Sequence, residues 1–226
     1  MRNNYLIIFY LFISALPVYS QTLASRGTPS EATPLLTFGS SDYYPLSDKQ
    51  RFIYDSNLGE TEAEINLVDS AFVLDYESSG ISYKQTLLKR TDGIYLIKTE
   101  NKALFFGKSI TYEKPVLLLP FPFAVGQTWT WQGNQFIGDD TVAIILTGKI
   151  IGQETLQTKA GKFNCAVVNT VLSEKDGKSN SVTEWFAPSV GIVKAHAQMQ
   201  GSGIGWLIQK LMGLNEVTFQ LAEIKK

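Results

Sequence analysis

Val217, Phe219 and Leu221 alternate with Thr218, Gln220 and Ala222 near the end of the chain, the two-residue period of a strand with one buried face and one mostly wet face. Paired segments of this kind recur upstream. Tyr83–Lys89 and Ile94–Lys98 flank Asp92-Gly93, and Phe163–Ser173 and Ser181–Phe186 flank Asp176-Gly177, the clearest hairpin signal in the sequence. Asn57-Leu-Gly59, Glu77-Ser-Ser-Gly80, Gly133-Asn134 and Gly138-Asp-Asp140 mark further turns. Val142–Ile151 is long and apolar, and Gly148 within it predicts a bulge that curves the sheet. About a dozen strands with almost no helix between them predict a mainly β fold: a strongly curved antiparallel sheet, an open β-barrel, or two packed sheets.

The stretch Leu117–Trp131 is an apolar approach, a corner at Pro120 and Pro122, a glycine turn at Gly126 and a strand carrying Trp129 and Trp131. The prolines remove two backbone donors, so the segment reads as an edge or corner. Tyr43–Tyr54 matches it at a constant offset of 77 residues: Pro45 with Pro122, Leu46 with Phe123, Gln50 with Gln127, Phe52 with Trp129 and Tyr54 with Trp131. The match predicts two similar β-units, about 43–119 and 120–226, within a single domain spanning 42–226. Two unrelated Pro-turn-strand segments are the alternative.

One segment breaks the strand pattern. Trp206–Met212 is framed by Gly201, Gly203, Gly205 and Gly213, and Ile204, Leu207, Ile208, Leu211 and Met212 share one helical face, which predicts a short amphipathic helix between two late strands. A plug over an open sheet end, a lid over a cavity and a partner- or membrane-touching helix all fit that pattern.

At the N-terminus, Arg2 precedes the apolar run Tyr5–Leu16, and Val18 and Ser20 sit at −3 and −1 before Gln21; residues 1–20 read as a secretory signal peptide. With no cysteine near the cleavage point, a lipid-modified N-terminus is not expected, and the location follows as exported, periplasmic or secreted, with no transmembrane anchor after cleavage. Residues 21–41, rich in Thr, Ser, Pro, Gly and Ala, read as a flexible lead. Without Arg2 the chain has 19 basic and 21 acidic side chains in no long runs, which argues against nucleic acid as an electrostatic partner. Cys165 is the only cysteine, so stability rests on packing and no intrachain disulfide is available.

Catalytic chemistry has little to draw on. His196, the only histidine, alternates with apolar residues and reads as a strand surface residue. Neither a zinc set nor a Gly-x-Ser-x-Gly elbow is present, and Gly201–Gly205 lacks the lysine of a phosphate loop. Cys165 reads as a buried, inert thiol. The carboxylates Asp139-Asp140 and Glu60, Glu62 and Glu64 lie at a turn or alternate along a strand, so no acid–base pair is singled out. No catalytic residue, metal or cofactor is therefore expected. The aromatic supply is large: Trp129, Trp131, Trp185, Phe121, Phe123, Phe136 and Phe186 concentrate in the second unit and either fill a core or line a pocket.

Three blocks, Tyr43-Tyr-Pro-Leu46, Thr158–Phe163 and Glu184–Lys194, resemble the DUF3108-like or TapB-like exported bacterial domains of unknown function. Lys49 and Ser189 stand where those domains usually carry glycine. The resemblance implies a curved antiparallel sheet similar to the open barrels of the LolA/LolB lipoprotein carriers, and no catalytic residues. The expected function is a non-enzymatic exported binding protein holding a lipid or other hydrophobic small molecule on the concave face, with Trp129, Trp131, Trp185, Trp206, Leu207 and Leu211 as candidate ligand contacts. The alternative is a structural or interaction module of the envelope or cell surface, with a filled core and an envelope protein as partner.

Overall fold

The structure, a computed structural model, describes residues 37–38, 42–103, 106–199 and 215–225. The expected signal peptide, most of the lead, and the helix with Trp206, Leu207 and Leu211 lie outside the described residues. Every described element is a strand: β1 (Thr37–Phe38), β2 (Gln50–Ser56), β3 (Gly59–Val68), β4 (Ala71–Ser78), β5 (Ile81–Arg90), β6 (Gly93–Ala103), β7 (Phe106–Pro120), β8 (Phe123–Ala124), β9 (Thr128–Ile137), β10 (Asp140–Thr158), β11 (Gly161–Glu174), β12 (Ser179–Ala187), β13 (Gly191–Met199) and β14 (Glu216–Lys225). Twelve of them form an antiparallel meander whose last strand, β14, pairs with β2, so the sheet closes into a barrel. The expectation of an open barrel is refined on this point: the ladder is continuous around the ring. β1 pairs with β8 outside the ring, so two residues of the expected lead are held in a ladder.

The hairpins follow the turn chemistry of the sequence, except that Gly133-Asn134, expected as a turn, continues β9 in unbroken register with β10. Arg90 pairs with Gly93 across a two-residue loop, and Ser78 with Ile81 across Ser79-Gly80. At Asp176-Gly177, Gly177 N donates to Glu174 O, and Glu174 N to Lys178 O. Gly148 is not the bulge. It stays in register opposite both Trp129 and Thr170, and the slip in β10 falls between Ile150 and Gly152.

Alternation assigns the two faces of the wall. In β3, Thr61, Ala63 and Ile65 are buried while Glu60, Glu62 and Glu64 lie on the other face, where Glu64 meets Arg51 and Glu62 meets Lys225. Lys84 bridges to Asp75 on the same outer face. A wall studded with ion pairs is the reverse of the apolar belt a lipid-facing barrel presents.

Eight strands make a barrel that side chains can fill, and 16 or more leave a channel; twelve fall between, so one end needs extra chain to close it. That extra chain is Tyr44–Leu46, which tucks into the end formed by the β12–β13 turn and the starts of β2 and β6. Tyr44 packs edge-on to Phe186 with ring centroids 5.5 Å apart and lies against Gly191, where a Cβ would sit 3.4 Å from its ring. Lys89 Nζ caps Pro45 O at 3.1 Å, and Ser189 N donates to Asp42 O at 2.6 Å. Below this plug Phe52, Ile65, Leu74, Leu87, Ile94, Val116, Ile150, Val193 and Leu221 form the core. The remaining void there is about 20 Å³, the space of one water.

The β10–β11 hairpin overshoots its neighbour, since residues 161–165 have no partner in β12. Its tip lies back over the outer wall. Gln220 Nε2 donates to Gln157 O, and Lys159 Nζ is 2.8 Å from an Asp55 carboxylate oxygen.

Candidate functional site

Next to the plug the inner face of the wall is aromatic. Inward positions on β14, β2, β4 and β5 carry Phe219, Tyr54, Tyr76 and Tyr83, an aromatic arc in which neighbouring rings lie 6.1–6.5 Å apart. Tyr76 and Phe219 meet at 6.3 Å although β2 and β3 separate their strands, because the inward residues of β3 at this level, Thr61 and Ala63, are small. Next to the arc stands Glu184 on β12. It faces inward with its cross-strand neighbours Val168 and Ala195, and Ala195 is in turn opposite Phe219.

Glu184 is enclosed by barrel atoms, and this burial alone pushes its carboxyl up from an ordinary value near 4.5 to about 7. Its side chain nevertheless retains partial contact with solvent, as do Tyr76, Tyr83 and Phe219. Inward orientation with partial exposure puts these groups on a stretch of the inner face that water reaches. The polar groups there are unevenly satisfied. Tyr54 donates to Ile192 O at 2.9 Å and Gln85 donates to the Tyr83 hydroxyl at 2.9 Å. Among the described residues no hydrogen-bond partner is found for the Glu184 carboxyl or the Tyr76 hydroxyl. Asn101, inward on β6 opposite Tyr83, has an Oδ1 that is sealed and unpartnered. Burial, with the Glu184 charge contributing, keeps Tyr54, Tyr76 and Tyr83 well above their ordinary range, so these phenols are neutral.

Trp129 and Trp131 sit at the seam of the ring. β7 and β9 share only three register pairs, Ile110 with Ile137, Thr111 with Phe136 and Tyr112 with Gln135. Past Tyr112 the strands part, and the indoles span the gap: Trp129 Nε1 donates to Leu117 O and Trp131 Nε1 to Pro115 O, both at 3.1 Å. Glu113 adds to the stitching by accepting from Asn134 N and Nδ2. A groove of about 370 Å³ opens at the seam between Glu113, Lys114, Gln132, Asn134, Ile145 and Lys175, with charges of both signs and no converging set.

Trp185 lies on the outer wall, in the cross-strand row Val167, Trp185, Lys194, Gln220 and Asp55. The overhanging hairpin crosses this row. Trp185 Nε1 donates to Glu154 at 2.6 Å, and Lys194 Nζ stands 4.4 Å from the ring centroid. Cys165 is 1% exposed, and burial followed by the Glu154 charge raises its thiol to about 11. His196 lies on the outer face against Glu216 at 3.1 Å. Sequence reasoning overlooked Glu184, yet the signal was present: it shares strand parity with Val182 and Phe186, a carboxylate on an apolar face.

Residues 132–200 match the model of the DUF3108-like family, a stretch containing two of the three sequence blocks that carried the resemblance, Thr158–Phe163 and Glu184–Lys194. Among solved structures the barrel is similar to the hypothetical lipoprotein YmcC from Escherichia coli (K12), at 13% identity and a TM-score of 0.43, covering 80% of this chain and 89% of that one. It is also similar to a Bacteroides fragilis protein described as exported and YmcC-like in fold, at 13% identity and a TM-score of 0.39, covering 80% and 97%. A Parabacteroides distasonis protein described as a lipoprotein matches at 11% identity and a TM-score of 0.41, covering 82% and 99%. No curated protein matches the chain.

Proposed function

We propose that the protein is an exported, non-enzymatic binding protein that takes a hydrophobic or amphiphilic small molecule into the lumen bounded by Tyr76, Tyr83, Glu184 and Phe219. The observation that carries this reading is the uneven packing of the barrel interior. Around the Tyr44–Leu46 plug the interior is packed down to a void of about 20 Å³ that Tyr54 and Tyr76 also line, while the inward-facing residues Tyr76, Tyr83, Glu184 and Phe219 each keep partial exposure. A protein that needed only a stable barrel would gain by burying these side chains fully, since a fully buried aromatic side chain contributes roughly 1.5–3 kcal/mol relative to an exposed one. A lumen with an apolar arc and a few polar groups has the usual make-up of a small-molecule site. Trp129 and Trp131 serve this site as its wall, holding the β7–β9 seam shut behind it.

The test is native mass spectrometry of the exported protein purified without detergent, followed by organic extraction and incubation with a bacterial lipid extract. A discrete adduct is expected, and it should be lost in Ala195→Trp, which places an indole in the lumen beside Glu184. A clean apo mass after incubation with lipid refutes the reading and favours an envelope interaction module.

A further inference from the structure

Around the ring each strand pairs with its neighbour in sequence, with only the two-residue β8 between β7 and β9, except where β14 meets β2. That closing ladder has no turn across it, and its register slips between Leu221 and Glu223. Local opening concentrates in the terminal elements of a fold, so a barrel closed by its first and last strands is weakest there.

The tip of the β10–β11 overhang reaches this ladder from outside. Gln157 O accepts from Gln220 Nε2 at 3.2 Å, and Lys159 Nζ lies 3.0 and 2.8 Å from the two carboxylate oxygens of Asp55. Gln220 and Asp55 are direct partners across the closing ladder. The tip therefore holds both members of one cross-strand pair, one on each side of the closure. Nearer its root the overhang is fixed to β12, where Trp185 Nε1 donates to Glu154 at 2.6 Å. The arm between these anchors is itself a regular ladder, in register from Gln153 opposite Ala166 to Thr158 opposite Gly161. Val167 and Ile53 share the outward parity of Trp185 and Asp55, yet they are only 6% and 7% exposed, which suits a wall covered from outside.

We propose that the β10–β11 overhang is a strap that fastens the barrel at its closing ladder, so that β14 parts from β2 only when the strap lets go. Residues 161–165 pair with nothing in β12, so this part of the hairpin contributes no ring ladder of its own. What it does contribute is a bridge from β12 to both closing strands. The strap works whether or not the lumen takes a ligand, because its anchors all lie on the outer wall.

Hydrogen exchange read by mass spectrometry on the full chain tests the strap, comparing wild type with Lys159→Ala/Gln220→Ala, which removes both tip contacts through exposed side chains. Exchange should quicken roughly threefold to tenfold in residues 151–165 and, by a similar factor, in β14 and β2, the effect of losing one surface ion pair and one hydrogen bond. β4 and β5, which the strap does not touch, should exchange as in wild type. Trp185→Phe, which loses only the indole donor at the root, should shift the same segments in the same direction. Lys178→Ala breaks an exposed ion pair at the β11–β12 turn and should leave β14 and β2 unchanged. Faster exchange in 151–165 with β14 and β2 unaltered overturns the proposal, since the strap would then open without loosening the closure. A uniform rise in every strand overturns it too, by showing global destabilisation, and no change in any segment would show that these contacts hold nothing.

Discussion

The indole of Trp129 lies flat across Gly148, its direct cross-strand partner, so closely that a Cβ built on the glycine would stand 2.1 Å from the ring. The same indole donates to Leu117 O on the far side of the β7–β9 gap. One glycine therefore permits the ring position from which the seam is hydrogen-bonded. Trp131 over Gly133 repeats the device, with a Cβ 2.7 Å from the ring and a bond to Pro115 O. Gly148→Ala should displace the ring and break the Leu117 bond, costing roughly 2–4 kcal/mol. Trp129→Phe keeps most of the burial, loses the donor and should cost about 1–2 kcal/mol. Thermal melts followed by circular dichroism rank the two, and hydrogen exchange should show faster exchange in β7 and β9 than in β3. Protection equal to wild type along the seam would mean that the indoles do not hold it.

Ser189 and Lys49 occupy left-handed backbone, with φ of 62° and 63°. Both turns therefore hold a left-handed backbone with residues that bear a Cβ. A side chain in that region costs roughly 1–2 kcal/mol, part of which glycine returns through its freer unfolded chain. Ser189→Gly is accordingly expected to stabilise by about 0.5–1 kcal/mol and to raise the melting temperature by about 1–4 °C. Lys49→Gly also forfeits the bond from Lys49 Nζ to Asn66 Oδ1, so its gain should be smaller. A fall in melting temperature for Ser189→Gly would show that its hydroxyl makes a contribution the turn geometry does not account for.

Cys165 should stay unmodified by a water-soluble maleimide for as long as the barrel is folded. Its thiol is buried, and burial raises it to about 11, so at about pH 8 the thiolate fraction is on the order of 10⁻³ even before access is considered. The labelling rate should follow global unfolding and rise steeply in denaturant. Prompt stoichiometric labelling in buffer would require the β10–β11 overhang to open locally, which would also expose Trp185.

Strand existence and hairpin placement were legible because they depend on local alternation and turn residues, as at Asp92-Gly93 and Asp176-Gly177. Closure was not, since pairing of β14 with β2 joins Leu221 to Tyr54 across most of the chain and leaves no local mark. The bulge was misplaced for a related reason. Gly148 looks like a bulge glycine, but it is there to make room for Trp129, and only the ladder shows that the slip comes after Ile150. The tryptophans were recognised as important, but aromatic count does not tell lumen from seam from outer wall, and Trp185 needed the overhanging hairpin to explain it. Glu184 was readable by parity between Val182 and Phe186; what hid it was its place in a block that also carries a turn.

Glu184 gives the folded protein a pH dependence of definite sign. In the barrel its carboxyl holds a proton up to about pH 7, whereas an unfolded glutamate releases it near 4.5. Between these values the folded state binds more protons than the unfolded state, so this group's contribution to stability falls as pH rises through that window. The cost is absent below about pH 4.5 and complete above about pH 7, and the separation of the two values corresponds to at most roughly 3 kcal/mol. Glu184→Gln removes the charge without changing the shape. Its melting temperature should match wild type at about pH 4.5 and exceed it by roughly 4–10 °C at about pH 8. Differential scanning calorimetry of both proteins across the range makes the comparison, with the remaining titrating groups common to the two. A difference that does not vary with pH would mean that the carboxyl is solvated in the folded protein and that the lumen around it is open enough to hydrate a charge.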